Sequence, residues 1–122
     1  MAKILLAEDE KHVGEMIAFK LGNSGHQVIR AWNGEEAVAL AAAERPDLML
    51  LDVMMPVLTG LEALRRIRAE PALRSIPVIM VTAKGQERDV LAGLGEGATD
   101  YIVKPFSLKE LMARVQLALS RQ

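Results

Sequence analysis

Apolar residues recur along the chain with two different spacings, and each spacing indicates one kind of element. Short apolar runs rich in branched residues are typical of buried strands, and they occur at residues 4–7, 27–31, 48–51, 78–81 and 101–103. Between them, apolar residues recur at helical spacing: Val13, Ile17, Leu21; Leu61, Leu64, Ile67; Val90, Leu91, Leu94; and Leu108, Leu111, Met112, Val115, Leu119. The pattern predicts five strand–helix units.

Residues typical of helix caps and turns support the same element boundaries. Residues 23–25 (Asn-Ser-Gly) are expected to end the first helix, and Asn33 can cap the second. Ser107 precedes the last helix with Glu110 at the spacing of a capping box. Strands joined by helices run parallel, and right-handed crossovers place helices on both faces of the sheet. We therefore predict an α/β fold, a doubly wound parallel sheet of five strands with five helices.

Composition agrees with one packed domain covering residues 1–122. Hydrophobic residues make up 51% of the 122 residues and charged residues 25%, and the net charge is -1. Such a balance gives no basic surface for nucleic acid or anionic lipid, and the basic run at residues 64–68 fits the solvated face of a helix. No apolar run is long enough to span a bilayer, so we expect a cytoplasmic protein without membrane contact. The absence of cysteine excludes disulfides and thiolate chemistry.

Polar residues stand at the ends of four predicted strands. Glu8 and Asp9 follow the first strand, Asp52 the third, Thr82 the fourth and Lys104 the fifth. The carboxyl ends of parallel strands share one edge of the sheet, where ligands of such folds bind. A carboxylate ending a buried strand is costly unless it is paired or used. Three carboxylates together predict a site for Mg²⁺, which prefers oxygen ligands.

These groups suit one reaction. A metal ion, a carboxylate nucleophile, a lysine and a hydroxyl are the parts needed to transfer a phosphoryl group onto an aspartate, because cations neutralise the charge on the phosphoryl oxygens.

Four motifs in order make the chain resemble a response-regulator receiver domain of two-component signalling, similar to the chemotaxis regulators. They are AEDE (7–10), LLDVMMP (50–56), VTA (81–83) and DYIVKPF (100–106). None is specific alone, whereas all four on a chain of five α/β units are very specific. The resemblance covers the whole length and implies a flavodoxin-like sheet with strand order 2-1-3-4-5.

The resemblance also implies roles for individual residues. Asp52 would be the phosphoacceptor, with Thr82 and Lys104 holding the phosphoryl oxygens and Tyr101 repacking on activation. Glu8, Asp9, Asp52 and the Met54 backbone carbonyl would bind Mg²⁺, with Mn²⁺ as an alternative. Met54, Ala83 and Lys84 would tune the lifetime of the phosphorylated state. The peptide bond between Lys104 and Pro105 would be cis.

The implied partners are a histidine kinase or a histidine phosphotransfer protein, and a downstream protein target or an effector domain outside this chain. The chain would catalyse only its own phosphorylation and a slow autodephosphorylation. A homodimer through the fourth and fifth predicted helices is a further possibility, because Asp100 and Arg114 match a salt-bridge pair of that interface. Val90 and Gly95 stand where charged partners are typical.

Other functions remain open on the sequence. A haloacid-type Mg²⁺-dependent phosphatase also uses a strand-end aspartate, but it places a second acid where this chain has Met54. A pseudo-receiver would act only as an interaction module. A dinucleotide-binding enzyme needs a glycine-rich turn after the first strand, where AEDE would repel phosphates. Taken singly, Asp9 could cap a helix, Lys104 could be a surface lysine and Tyr101 a half-buried strand aromatic.

Overall fold

The computed structural model describes residues 1–83, 95 and 97–120. These residues form five strands and four helices. The strands are β1 (Lys3–Ala7), β2 (Gln27–Ala31), β3 (Leu48–Asp52), β4 (Val78–Ala83) and β5 (Asp100–Lys104). The helices are α1 (Lys11–Asn23), α2 (Gly34–Glu44), α3 (Gly60–Ala69) and α4 (Leu108–Ser120).

The five strands form one parallel sheet in the order β2-β1-β3-β4-β5, as the sequence predicts. The fourth predicted helix, with Val90, Leu91 and Leu94, lies outside the described residues, as does Lys84. The helix here called α4 is the fifth predicted one. The doubly wound α/β architecture is therefore confirmed.

The sheet separates two apolar layers, because side chains on each strand alternate between its faces. On β3, Met49 and Leu51 join the layer under α2 and α3, whereas Leu48 and Leu50 join the layer under α1 and α4. All four are buried. Burial on both faces explains why the predicted strands read as continuous apolar runs.

Local hydrogen bonds at the helix ends match the sequence signals. The Asn33 side chain accepts from the Glu36 backbone N–H at 2.8 Å, and the Ser107 hydroxyl accepts from the Glu110 backbone N–H at 3.0 Å. The Lys104–Pro105 peptide bond is cis, as predicted.

Two details differ from the sequence prediction. The strand ladder continues through Asp52, Thr82 and Lys104, so these residues belong to their strands rather than to loops; Asp52 and Lys104 are the last residues of β3 and β5, and Thr82 is the residue before the last of β4. The basic run at 64–68 is not wholly solvated, because the Arg68 guanidinium is partly buried and donates to three backbone carbonyls. Its acceptors are Gly97 (2.9 Å), Arg74 (3.1 Å) and Ile76 (2.7 Å).

Within the part of the chain that the structure describes, no helix is both long and apolar enough to cross a membrane.

Candidate functional site

Three of the predicted site residues meet at the carboxyl edge of the sheet. Lys104 Nζ lies 2.9 Å from Glu8 Oε1 and 3.0 Å from Asp52 Oδ2. Glu8 follows β1, Asp52 ends β3 and Lys104 ends β5, so residues far apart in sequence are brought together by the parallel ladder. The ion pairs join residues from both ends of the chain into one buried cluster.

Asp52 is held by its own loop and by the start of α3. The Met54 backbone N–H donates to Asp52 Oδ1 at 3.0 Å, which fixes the carboxylate after the end of β3. A Cβ at Gly60 would collide with the Asp52 carbonyl, so α3 can approach the strand end only with glycine there. Asp52 is buried, and its Oδ2 forms an ion pair with the Lys104 ammonium.

Glu8 is the most buried charged residue of the site, with 1% of its surface exposed. Its Oε2 accepts from the Glu10 backbone N–H at 3.0 Å. Burial raises the pKa of the Glu8 carboxyl to about 7; the neighbouring Asp52 also raises it, whereas Lys104 lowers it. Burial alone would lower the pKa of Lys104, but hydrogen bonds to Glu8 and Asp52, together with their charges, raise it. The cluster therefore has more acidic groups than one ammonium can neutralise.

The carboxylates are placed so that they could share a cation. Glu8, Asp9 and Asp52 each offer an oxygen, and these oxygens lie within 4.8 Å of one another. Asp9 is exposed, while Glu8 and Asp52 are buried. An all-oxygen donor set with an open side suits a hard divalent ion that keeps some waters.

The other predicted site residues surround this cluster. Thr82 is buried near the end of β4, and its hydroxyl donates to the Ala83 carbonyl at 3.5 Å. Ala83 is exposed, and so is the Met54 side chain. Tyr101 is half-buried, with the Arg114 guanidinium 6.0 Å from its ring centroid. Arg114 pairs within the chain with Asp100 at 2.8 Å.

Comparison with known proteins decides the family. Residues 4–116 match the family described as the response regulator receiver domain. The chain belongs to this receiver domain family. Receiver domains are the phosphorylation-dependent switches of two-component signalling.

Two relatives are transcriptional regulators. The receiver chain is 44% identical over 118 residues to PhoB of Pseudomonas aeruginosa, a phosphate regulon transcriptional regulatory protein, covering 97% of this chain and 52% of that protein. It is 44% identical over 119 residues to PhoP of Bacillus subtilis, an alkaline phosphatase synthesis transcriptional regulatory protein, covering 98% and 49%. The chain thus spans about half the length of the curated relatives it matches.

Solved receiver structures are similar over nearly the whole chain. The receiver domain of the Francisella response regulator 1452 has a TM-score of 0.91 at 33% identity, covering 99% of this chain and 98% of that one. The receiver domain of the sensor histidine kinase PA1611 from P. aeruginosa has a TM-score of 0.90 at 35% identity, covering 98% of each chain. The latter structure has a magnesium ion coordinated in its active site cleft.

Sequence reasoning missed two features of this receiver site. Glu10 Oε2 lies 3.5 Å from Lys104 Nζ, although Glu10 was not among the predicted site residues. Thr59 and Glu62 form a full capping box at the start of α3, next to Gly60. The T-x-x-E spacing is the signal that could have indicated the capping box, whereas no local pattern indicates the contact of Glu10 with Lys104.

Proposed function

We propose that residues 1–122 form one receiver domain in which Asp52 accepts a phosphoryl group from the phosphohistidine of a kinase or phosphotransfer protein. The proposal is carried by the carboxylate that ends buried β3, 3.0 Å from Lys104 Nζ and beside two further carboxylates. In the transfer, an Asp52 oxygen attacks phosphorus and the phosphorus–nitrogen bond breaks. The donor histidine leaves with the electron pair of that bond.

Glu8, Asp9 and Asp52 would hold Mg²⁺ together with the Met54 backbone carbonyl. Their clustered carboxylate oxygens fit this hard cation, and Mn²⁺ would suit the same donors. When bound, the ion neutralises negative charge on the phosphoryl oxygens. The magnesium ion in the cleft of the similar PA1611 receiver supports the assignment.

Lys104 and Thr82 would hold the transferred group. Lys104 already reaches Asp52 Oδ2, so its ammonium can pair with a phosphoryl oxygen at nearly the same place. The Thr82 hydroxyl would donate to a second oxygen. A phosphoryl group stabilises the active state only through contacts that it makes mainly in that state. The contacts of Lys104 and Thr82 with the phosphoryl oxygens would be of this kind, because they form only after phosphorylation. Tyr101 would then turn inward and change the surface of the fourth predicted helix, β5 and α4.

The acceptor is tested by intact mass after incubation with acetyl phosphate and Mg²⁺. We expect one added phosphoryl group in the wild type and none in Asp52→Asn. Asp47→Asn is the matched control, because Asp47 precedes the same strand at the opposite edge of the sheet, and it should be labelled normally. Labelling of Asp52→Asn, or labelling without a divalent ion, would contradict the assignment. Continuous donor turnover would indicate a phosphatase, and complete inertness a pseudo-receiver.

The switch is tested by amide NMR spectra with and without beryllofluoride, which mimics a phosphoryl group. Shifts should extend from the Asp52 pocket to β5 and to α4 near Arg114, because Tyr101 packs against Arg114. Shifts confined to the pocket would remove the switching role of Tyr101.

We further propose that the phosphorylated state is long-lived. Hydrolysis needs a water positioned in line with the leaving oxygen, and the sequence positions suited to hold it are two residues beyond Asp52 and two beyond Thr82, namely Met54 and Lys84, of which Lys84 lies outside the described residues. Methionine has no strong hydrogen-bonding group for this task, and protonated lysine cannot accept a proton. Ala83 leaves the phosphoryl group accessible, which acts in the opposite direction. Met54→Asn should lose phosphate faster than the wild type after removal of the donor; equal rates would contradict the idea.

The output would be exerted through protein contacts, on a separate partner or on an attached domain. The named relatives are transcriptional regulators about twice as long as this chain, which makes control of transcription the favoured output. A homodimer would use Asp100 and Arg114, which here pair within one chain. Autophosphorylation with slow autodephosphorylation, a cytoplasmic location and no direct contact with nucleic acid or membrane stay predictions.

A further inference from the structure

Glu10 is a charged residue at the mouth of the site whose side chain does not cap the helix that it precedes. It occupies the N-cap position of α1, yet its side chain makes no capping hydrogen bond. Its backbone donates to Glu8 Oε2 at 3.0 Å and accepts from the Gly14 N–H at 2.9 Å. The carboxylate is 61% exposed and reaches Lys104 Nζ at 3.5 Å.

The ammonium of Lys104 is shared among three carboxylates. Two of them, Glu8 and Asp52, belong to the cluster whose oxygens could bind a cation, whereas Glu10 does not. A cation held by Glu8, Asp9 and Asp52 would offset part of their negative charge, whereas the Glu10 carboxylate lies outside this donor set and contacts only the ammonium among these site groups.

Glu10 also borders a hollow beside the Lys104 ammonium. Together with Lys104 it lines this hollow, and the other described residues that line it are apolar: Val13, Met16, Pro105 and Phe106. Glu10 and Asp52 contact the same ammonium, at 3.5 Å and 3.0 Å, so a phosphodonor at Asp52 would lie within the field of the Glu10 carboxylate.

We propose that Glu10 is a specificity-determining residue that disfavours phosphodonors with extra negative charge. This rests on the proposed phosphorylation of Asp52. Glu10 repels an anionic donor directly, and it draws the Lys104 ammonium toward the entrance and away from the phosphoryl oxygens. One charge at roughly 7 Å, at an effective dielectric constant of about 40–80, corresponds to about a three- to tenfold change in rate.

The test compares two donors of different charge on the same protein. Acetyl phosphate carries one more negative charge than phosphoramidate at neutral pH, so the ratio of their labelling rates reports charge selection independently of folding or overall activity. In Glu10→Gln the ratio of acetyl phosphate to phosphoramidate rates should rise about three- to tenfold. Glu10→Lys should raise it further, and molar salt should reduce both effects by screening.

Glu70→Gln is the matched control, because Glu70 is an exposed acid at the far end of α3 and the substitution changes the net charge equally. Its ratio should stay within twofold of the wild type. Normal labelling of Asp52 with an unchanged ratio in Glu10→Gln and Glu10→Lys would overturn this inference alone. If neither donor labels Asp52 in the wild type, the proposed function fails and this inference fails with it.

Discussion

Val57 adopts a backbone conformation that a branched residue rarely tolerates, and replacing it by glycine should stabilise the domain. Its φ is 68°, and the Leu58 N–H donates across it to the Pro56 carbonyl at 2.7 Å. That bond closes a γ-turn with positive central φ, a rare and strained form. Glycine adopts positive φ without the steric cost of a Cβ.

The size of the effect follows from three terms. Releasing the strained backbone should stabilise the fold by about 1–3 kcal/mol. The added flexibility of glycine in the unfolded chain costs about 0.4–1 kcal/mol. Val57 is 74% exposed, so the lost burial is roughly a quarter of that for a fully buried valine, about 0.5 kcal/mol. The sum is a stabilisation of about 1 kcal/mol, or roughly 4 °C in Tm for a domain of this size.

Val57→Gly should therefore unfold at higher urea concentration and temperature than the wild type. Val57→Ala retains the backbone cost and should show little gain. Ala39→Gly, at an exposed position inside α2, should lose about 1 kcal/mol, which shows the usual sign of a glycine substitution. A Val57→Gly protein that is less stable than Val57→Ala would refute the strain argument.

Three further changes test other parts of the structure. Thr59→Ala removes the capping box of α3 and should lower the free energy of unfolding in urea by about 1 kcal/mol, whereas Thr59→Ser should retain most of it. Gly60→Ala forces a Cβ against the Asp52 carbonyl and should cost about 1–3 kcal/mol, while also slowing phosphorylation; unchanged stability would show that α3 can shift freely. With a chelator present, the Glu8 carboxyl should stay protonated in the folded protein between pH 4.5 and about 7, whereas in the unfolded chain it is ionised over this range. The free energy of unfolding should therefore fall by on the order of 3 kcal/mol as pH rises from 4.5 to about 7. Urea titrations at several pH values should show that fall in the wild type and not in Glu8→Gln.

The sequence predicts the architecture well because the determinants of the elements are local. The apolar runs of the central strands, the cap at Asn33 and the Ser107–Glu110 spacing are patterns within a few residues. The convergence of Glu8, Asp52 and Lys104 also follows, since a parallel sheet collects its carboxyl ends at one edge.

Features that depend on side-chain reach or on distant backbone could not be predicted in this way. Nothing in the spacing of AEDE shows that Glu10 turns back toward Lys104 instead of capping its helix. The carbonyls bound by Arg68 come from two separate stretches of the chain, one of them near Gly97. For Val57 the local preference is opposite to the observed φ, because branched residues avoid the left-handed region.

Because three carboxylates share the Lys104 ammonium, resistance to unfolding and signalling place opposite demands on the site. Three carboxylates compete for one cation, so in the ligand-free domain mutual repulsion works against the folded state at the place where the chemistry occurs. Selection for heat resistance alone would thus favour variants that lose one of these acids, and such variants would be poor switches. A bound cation would relieve the same repulsion, so the receiver should resist unfolding best when its carboxylates hold a divalent ion.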